Sequence, residues 1–249
     1  MENRPPPADI TACVVIIGNE ILSGRTQDRN IAFLGRRCDE LGIRLVEARV
    51  IPDVQDVIIA TVDTCRNKYD YVFTTGGIGP THDDITAAAI AALFHTDLMR
   101  NTAAVAAMER YYESATLNEA RLKMADMPAG AVVIDNPVSG APGFQMENVF
   151  VLPGVPMIMQ AMFNGITDRL TGGPPMLTES VVTRLTEGVI AAGLGQVQAD
   201  YPRITIGSYP YFRGGKLGVN IVMRATDRDE LNKGAEEVRK LLRQLRVSR

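Results

Sequence analysis

The segment Thr74-Thr-Gly-Gly-Ile-Gly-Pro-Thr-His-Asp-Asp-Ile-Thr86 gathers the residue types that handle phosphate. Gly76, Gly77 and Gly79 permit close backbone approach and positive φ, which leaves their amides free to meet an anion. Thr74, Thr75 and Thr81 add hydroxyls. The segment runs into the expected start of a helix, whose unpaired N–H groups and dipole favour negative charge. It is not a P-loop, because no Gly-Lys-Ser/Thr follows, and it is not a dinucleotide fingerprint, because the first expected strand leads into Gly18-Asn-Glu-Ile-Leu-Ser-Gly24. The lesser alternative is a glycine-rich turn that only joins a strand to a helix.

Asp83 and Asp84 carry two open readings. A carboxylate before a helix caps it and offsets its dipole. A cap needs only one, and a second beside a phosphate loop suits a divalent cation or a proton transfer from water, with Asp84 the first choice. His82 reads as a loop residue before it reads as a ligand. Glu20 follows the first strand and either faces the site or lies on the surface. Ser23 suits substrate contact or a turn. Asn30 suits a ligand hydrogen bond or an ordinary helical place. Gly154 and Pro156, in Leu152-Pro-Gly-Val-Pro156, open a helix and offer amides or simply start it. No GxSxG elbow is present, which argues against a serine hydrolase. Only two histidines and no CxxC pair argue against structural zinc.

These residues sit in loops, so the elements around them decide whether they meet. Residues 11–17 form a continuous apolar, β-branched run suited to a strand buried on both faces. Residues 26–41 read as a helix, with Ile31, Leu34, Cys38 and Leu41 on one face and Gly42 ending it. Residues 43–51 read as a strand, 53–67 as a helix, 70–75 as a strand, and Ile85, Ala89 and Leu93 mark a helix. Residues 101–124 are helical in composition, with a break near Ser114. Residues 131–134 and 148–152 read as strands around a loop at 137–143. A helix from Pro156 presents Met159, Phe163, Ile166 and Leu170. Strands alternating with helices imply a mostly parallel sheet between helical layers. Ligands in such sheets bind at the carboxyl ends of the strands, where all three loops would converge.

Thr171-Gly-Gly-Pro-Pro175 reads as a linker. Beyond it the pattern is strand, helix, strand, strand, helix, with Arg213-Gly-Gly-Lys216 as a hairpin turn and an amphipathic helix at 229–245. The expected organisation is an arm at 1–9, a domain at 10–170, the linker at 171–175 and a small domain at 176–249. The polar, Pro-rich start has no apolar segment after basic residues, which predicts no secretory signal and a cytoplasmic protein. The chain has 249 residues, a formal net charge of -3 and 46% hydrophobic residues. That balance argues against nucleic-acid binding through bulk charge. No apolar run approaches the ~18 residues of a membrane span. Three dispersed cysteines suggest buried thiols in a reducing compartment.

GNEILSG, Asp28-Arg-Asn30, TTGGIGPTHDDIT and LPGVP together resemble the MoaB/Mog-type molybdopterin-binding domain. The resemblance is strongest to the branch in CinA (competence/damage-inducible protein A) and the N-terminal part of FAD synthase. Gly140-Ala-Pro-Gly-Phe144 adds to it. It runs from about Ile10 to Leu170, and the βαββα segment from Met176 resembles CinA's small KH-like domain. CinA's C-terminal deamidase domain does not follow in this chain, so the resemblance does not extend to that activity. No GxxG loop with basic flanks supports RNA binding. The resemblance implies a three-layer α/β/α fold, a homo-oligomer (dimer or trimer), and metal-dependent cleavage of a nucleotide diphosphate such as ADP-ribose or FAD. The alternative is a protein of molybdenum-cofactor biosynthesis that binds molybdopterin or transfers adenylate. Thr75, Gly76, Gly77, Gly79 and Thr81 would hold phosphate, with Glu20, Ser23, Asn30, Gly154 and Pro156 around the substrate. Asp83 and Asp84 would be catalytic and, with Glu20, would hold a divalent cation (Mg²⁺, Mn²⁺ or Co²⁺), alone or with K⁺. No tightly bound organic cofactor is implied. Asn19 stands where the family's Gly-Asp-Glu motif often has Asp.

Overall fold

The first apolar run forms strand β1 (Ile10–Ile17) at the heart of the larger of two compact units, Met1–Gly173 and Pro174–Arg249. The computed structural model describes residues 10–112 and 116–247. A short helix α1 (Asn19–Leu22) and helix α2 (Asn30–Glu40) lead to β2 (Ile43–Ile51), α3 (Gln55–Arg66) and β3 (Tyr71–Thr75). Helix α4 (Thr86–Leu93), β4 (Leu98–Arg100), α5 (Thr102–Tyr111) and α6 (Glu119–Leu122) follow. The unit closes with β5 (Asp126–Pro128), β6 (Val132–Ile134), β7 (Gly143–Met146), β8 (Val149–Leu152) and α7 (Pro156–Asn164).

The main sheet has the order β2-β1-β3-β8-β7-β6. Its first four strands are parallel, and β7 and β6 are antiparallel additions at one side. Alternation along β1 sends Cys13, Val15 and Ile17 to one face and Ala12, Val14 and Ile16 to the other. The first face packs on Ile58 and Val62 of α3, Ile90 of α4 and Met108 of α5. The second packs on Leu34 of α2 and Met159 and Phe163 of α7. The result is the expected three-layer sandwich. Phe73 lies 5.5 Å from Phe150 and 5.2 Å from Phe163, ring centre to ring centre, which fixes the second face by edge and tilted contacts. The three cysteines are free and buried, and burial pushes the Cys38 thiol up to about 12.

Several elements depart from the sequence reading. The first long helix begins at Asn30 rather than near Thr26, because the Asp28 carboxylate accepts the Ile31 N–H at 3.0 Å and holds residues before Asn30 outside the helix. The 101–124 stretch is not one helix. It divides into α5, α6 and a 3₁₀ turn at Lys123–Ala125, and the break near Ser114 lies outside the described residues, as does the arm at 1–9. The two-stranded ribbon of β4 and β5 and the β7–β8 hairpin were absent from the sequence reading. Glu147, not glycine, takes φ 48° in that hairpin's turn, so no glycine marked it. Helix α7 stops at Asn164, and Ile166 and Leu170 lie beyond it.

The second unit contains β9 (Leu177–Thr183), α8 (Glu187–Asp200), β10 (Thr205–Arg213), β11 (Lys216–Ala225) and α9 (Arg228–Val247). Its antiparallel sheet has the order β10-β11-β9. One sheet face, with Val219, Ile221 and Met223, packs on Ile190 and Leu194 of α8 and Leu231, Val238 and Leu242 of α9. Gly214 (φ 57°) and Gly215 (φ 74°) make the β10–β11 turn, as the two glycines led one to expect. Among the described residues no helix is long and apolar enough to cross a membrane.

Candidate functional site

Ile16, Thr75 and Leu152 lie in one row across β1, β3 and β8. The three loops that follow these residues therefore leave the sheet at one level, on its carboxyl rim. They surround a cavity of about 530 Å³, a size that takes a small ligand. Glu20, Gly76, Gly77, Gly79, Asp83, Asp84, Gly154 and Pro156 all line it.

The glycine loop is held by its own backbone. Gly76 donates to the Leu152 carbonyl at 3.1 Å and has φ 104°. A Cβ there would stand 2.1 Å from the Ile17 carbonyl oxygen, so only glycine fits. Thr86 at the start of α4 donates its hydroxyl to Gly76 O at 3.0 Å and its N–H to Gly77 O at 2.9 Å. Thr86 thus spends its donors on fixing the loop. Among the described residues the N–H groups of Gly77, Ile78 and Gly79 have no acceptor, and these three residues line the cavity. Three successive amides without an acceptor stand beside the amino end of α4, the arrangement in which backbone N–H groups can meet an anion.

Asp83 and Asp84 do not cap α4. The residue at the cap position is Ile85, without a side-chain hydrogen bond, and both carboxylates turn back onto the loop. Thr81 Oγ1 lies 2.6 Å from Asp83 Oδ1 and 2.5 Å from Asp84 Oδ2, while the Thr81 N–H donates to Asp84 Oδ2 at 2.9 Å. One hydroxyl proton serves two carboxylates, so it satisfies one of them at a time. The Thr81 hydroxyl, the residue's own N–H and nearby positive charge hold Asp83 below the usual carboxylate range. Lys123 Nζ donates to the carbonyls of Thr81 and, at 3.1 Å, Asp84, strapping the loop from outside. His82 is almost fully exposed, consistent with a plain loop residue.

On the opposite loop the Glu20 carboxylate folds back over Gly18, where a Cβ would stand 2.5 Å from Oε1. Asn19 donates its N–H to Asp53 Oδ2 at 2.8 Å, and Asp53 lines the cavity. Four sequence candidates do not line it. Ser23 gives its hydroxyl to the Glu20 carbonyl at 3.2 Å, in the turn that ends α1. Thr75 is buried beneath the loop. Asn30 is buried too, and it donates to the Gly154 carbonyl at 2.9 Å and to Thr75 Oγ1 at 3.5 Å, tying three elements together behind the cavity. Thr81 sits at the exposed edge and acts on the two carboxylates.

Among the described residues no group of three or more His, Cys, Asp or Glu side chains is set to hold a metal ion. Asp83, Asp84 and Glu20 are therefore not a preassembled ligand set. The paired aspartates still offer hard oxygen donors that share one proton, and Glu20 and Asp53 add charge to the same cavity. That donor set fits a cation of the Mg²⁺ kind, which binds through one or two carboxylates and completes its shell with water and phosphate oxygens.

The sequence reading missed Asp53, Lys123 and Asn136. Asn136 lines the cavity and organises the following loop, donating to Ser139 Oγ and Ala141 O at 2.7 Å and accepting from the N–H groups of Val138 and Ser139. An Asn two residues before a turn carries that signal locally. Lys123 lies 39 residues from Asp84, so no local pattern points to it.

A mostly parallel sheet between helical layers, with a glycine loop and an acidic pair at its carboxyl rim, defines an open α/β domain of the kind that carries its site at the strand ends. Comparison with known proteins gives it a family. The chain belongs to the family described as "Probable molybdopterin binding domain", which matches residues 13–172. Residues 175–249 match "FAD synthase, middle domain". The chain is 37% identical to a protein of Pyrobaculum calidifontis over 211 residues, covering 80% of each. It is 30% identical to a "Probable FAD synthase" of Caenorhabditis briggsae over 99% of this chain, and spans 51% of that relative. Among solved structures it is similar to the protein CinA "with unknown function" from Thermoplasma acidophilum, with TM-score 0.60 and 36% identity over 64% of this chain and 96% of that one. The CinA-like reading of the sequence stands on these matches.

Proposed function

We propose that the rim cavity binds a nucleotide diphosphate, such as ADP-ribose or FAD, and hydrolyses its pyrophosphate bond. The observation that carries this reading is the pairing of three unpaired amides, Gly77 to Gly79, with two carboxylates that share the Thr81 hydroxyl. The amides bind phosphate oxygens and stabilise the charge that grows on them during attack. Asp84 orients a water and takes its proton as the water oxygen bonds to phosphorus. The bridging oxygen leaves with the second phosphate, giving two monophosphates. Asp83 and Asp84 would hold a divalent cation, which when bound neutralises the diphosphate oxygens. Asn19 in place of an acidic residue does not empty the site of charge, because Asp53 stands beside it and accepts its N–H.

The second reading is a pterin or nucleotide phosphate held without hydrolysis, as in a protein of molybdenum-cofactor biosynthesis. That no three-ligand metal set is preassembled among the described residues favours it. Both readings include a homo-oligomer, dimer or trimer, which light scattering reads directly.

One experiment separates them. The purified protein is incubated with ADP-ribose, FAD and ATP, each with Mg²⁺, Mn²⁺ or Co²⁺, and products are resolved by chromatography. AMP formed from ADP-ribose or FAD only with metal, and lost in Asp84→Asn, supports hydrolysis. No product from any substrate overturns it and leaves pterin-phosphate binding, measured next.

A further inference from the structure

The second unit has one sheet face covered by α8 and α9 and another that is open. On the open face lies a cavity of about 530 Å³, lined by residues of β9, β10 and β11 and by Arg184. Its floor is aromatic. The Tyr211 ring lies against Gly218 on the paired strand, where a Cβ would stand 2.5 Å from Cζ. The Tyr209 ring lies likewise over Gly207, with a Cβ there 2.8 Å from Cε2. The two glycines let the rings lie down on the sheet. Tyr209 remains 58% exposed, which leaves ring surface open to a ligand.

The rim is cationic. Arg184, Arg213 and Lys216 line the cavity, no acidic residue does, and among the described residues none of the three has a carboxylate partner. Between the Tyr209 and Val182 strands sits Asn220, directly paired with both. Asn220 lines the cavity, while its Oδ1 is buried and without a hydrogen bond.

We infer that this open face is a second binding site, for a free nucleotide monophosphate, separate from the rim cavity of the first unit. A planar base stacks on the tyrosine rings, and the phosphate meets Arg213, Lys216 and Arg184. An acidic peptide would use the cations but not the rings. A long polyanion is disfavoured by the chain's net charge of -3, and a cavity of this volume suits one small ligand.

The test is photolabelling of the full chain with 8-azido-AMP, followed by peptide mapping. Label on the residues 209–216 region, displaced by excess AMP, is the expected result. Tyr211→Ala lowers that label about ten-fold. Arg213→Gln with Lys216→Gln, both exposed, lowers it similarly while circular dichroism and Tm stay at the parent values. Asp84→Asn leaves it unchanged. Label confined to residues 76–84, label untouched by these variants, or an oligoadenylate that competes 100-fold better than AMP each overturns the assignment. So does a dimer that dissociates in the Arg213/Lys216 variant without any label on the parent, since a second copy would then cover the face.

Discussion

Asn30, the first residue of α2, donates its side-chain N–H at 2.9 Å to the carbonyl of Gly154, 124 positions along the chain. The bond crosses beneath the cavity and joins the first helical layer to the loop after β8. Asn30→Ala leaves the Gly154 carbonyl without this donor, at a cost of about 1–3 kcal/mol. Asn30→Asp places a carboxylate against that carbonyl and costs more. Urea unfolding of both variants, with unchanged m-values, checks the order.

The proposed hydrolysis depends on Asp84. Asp84→Asn keeps the shape and the Thr81 contacts but cannot take a proton. The expected loss is on the order of 100-fold or more in kcat, with nucleotide affinity retained. Equal losses in affinity and rate would assign Asp84 to binding alone.

Gly76 has no room for a side chain. Gly76→Ala forces a Cβ onto the Ile17 carbonyl at a φ of 104°, and nothing but backbone can give way. The expected destabilisation exceeds about 2 kcal/mol, and ligand binding falls with it. Differential scanning calorimetry reads the first effect and equilibrium dialysis the second.

Lys123 acts from outside the cavity wall. Lys123→Met removes both of its carbonyl hydrogen bonds and leaves its aliphatic stem in place. Amide exchange over residues 79–86 becomes faster and KM rises, while Tm changes little. Unchanged exchange in that loop would show that the strap adds nothing to its order.

Acid stability has a separate source. Glu47 accepts from Arg49 Nε at 2.6 Å, from the Tyr69 hydroxyl and from Lys68 Nζ at 3.2 Å, and these donors lower its pKa to about 2. The folded value lies below the ordinary 4.5, so the contribution is complete above that pH and fades as pH falls toward 2. Glu47→Gln lowers Tm at neutral pH, and the gap to the parent closes between about pH 5 and pH 2. A gap that stays constant with pH would mean the carboxylate's charge is not what matters.

The residues that built the rim were legible because each loop follows an unmistakable apolar strand. Residues 11–17 are apolar and β-branched, and Gly76 and Gly77 break the strand pattern after Thr75. What was not legible depends on partners remote in sequence. Nothing near Asp84 shows that Ile85, not an aspartate, stands at the head of α4, since the carboxylates are drawn away by Thr81. Lys123 becomes part of the site only through a chain path of 39 residues. The β7 strand was hidden because Glu147 takes a conformation that glycine normally marks.

The cavity takes its walls from the loops that follow β1, β3 and β8, elements that span residues 10 to 152. A nascent chain therefore owns no part of a working pocket until the last of these strands has docked. Ligand can recognise only the finished sheet, so binding adds its free energy to global unfolding as well as to each local opening that breaks the pocket. A saturating ligand should therefore slow proteolysis across the whole first unit at once, which makes the pocket a sensor of completed folding.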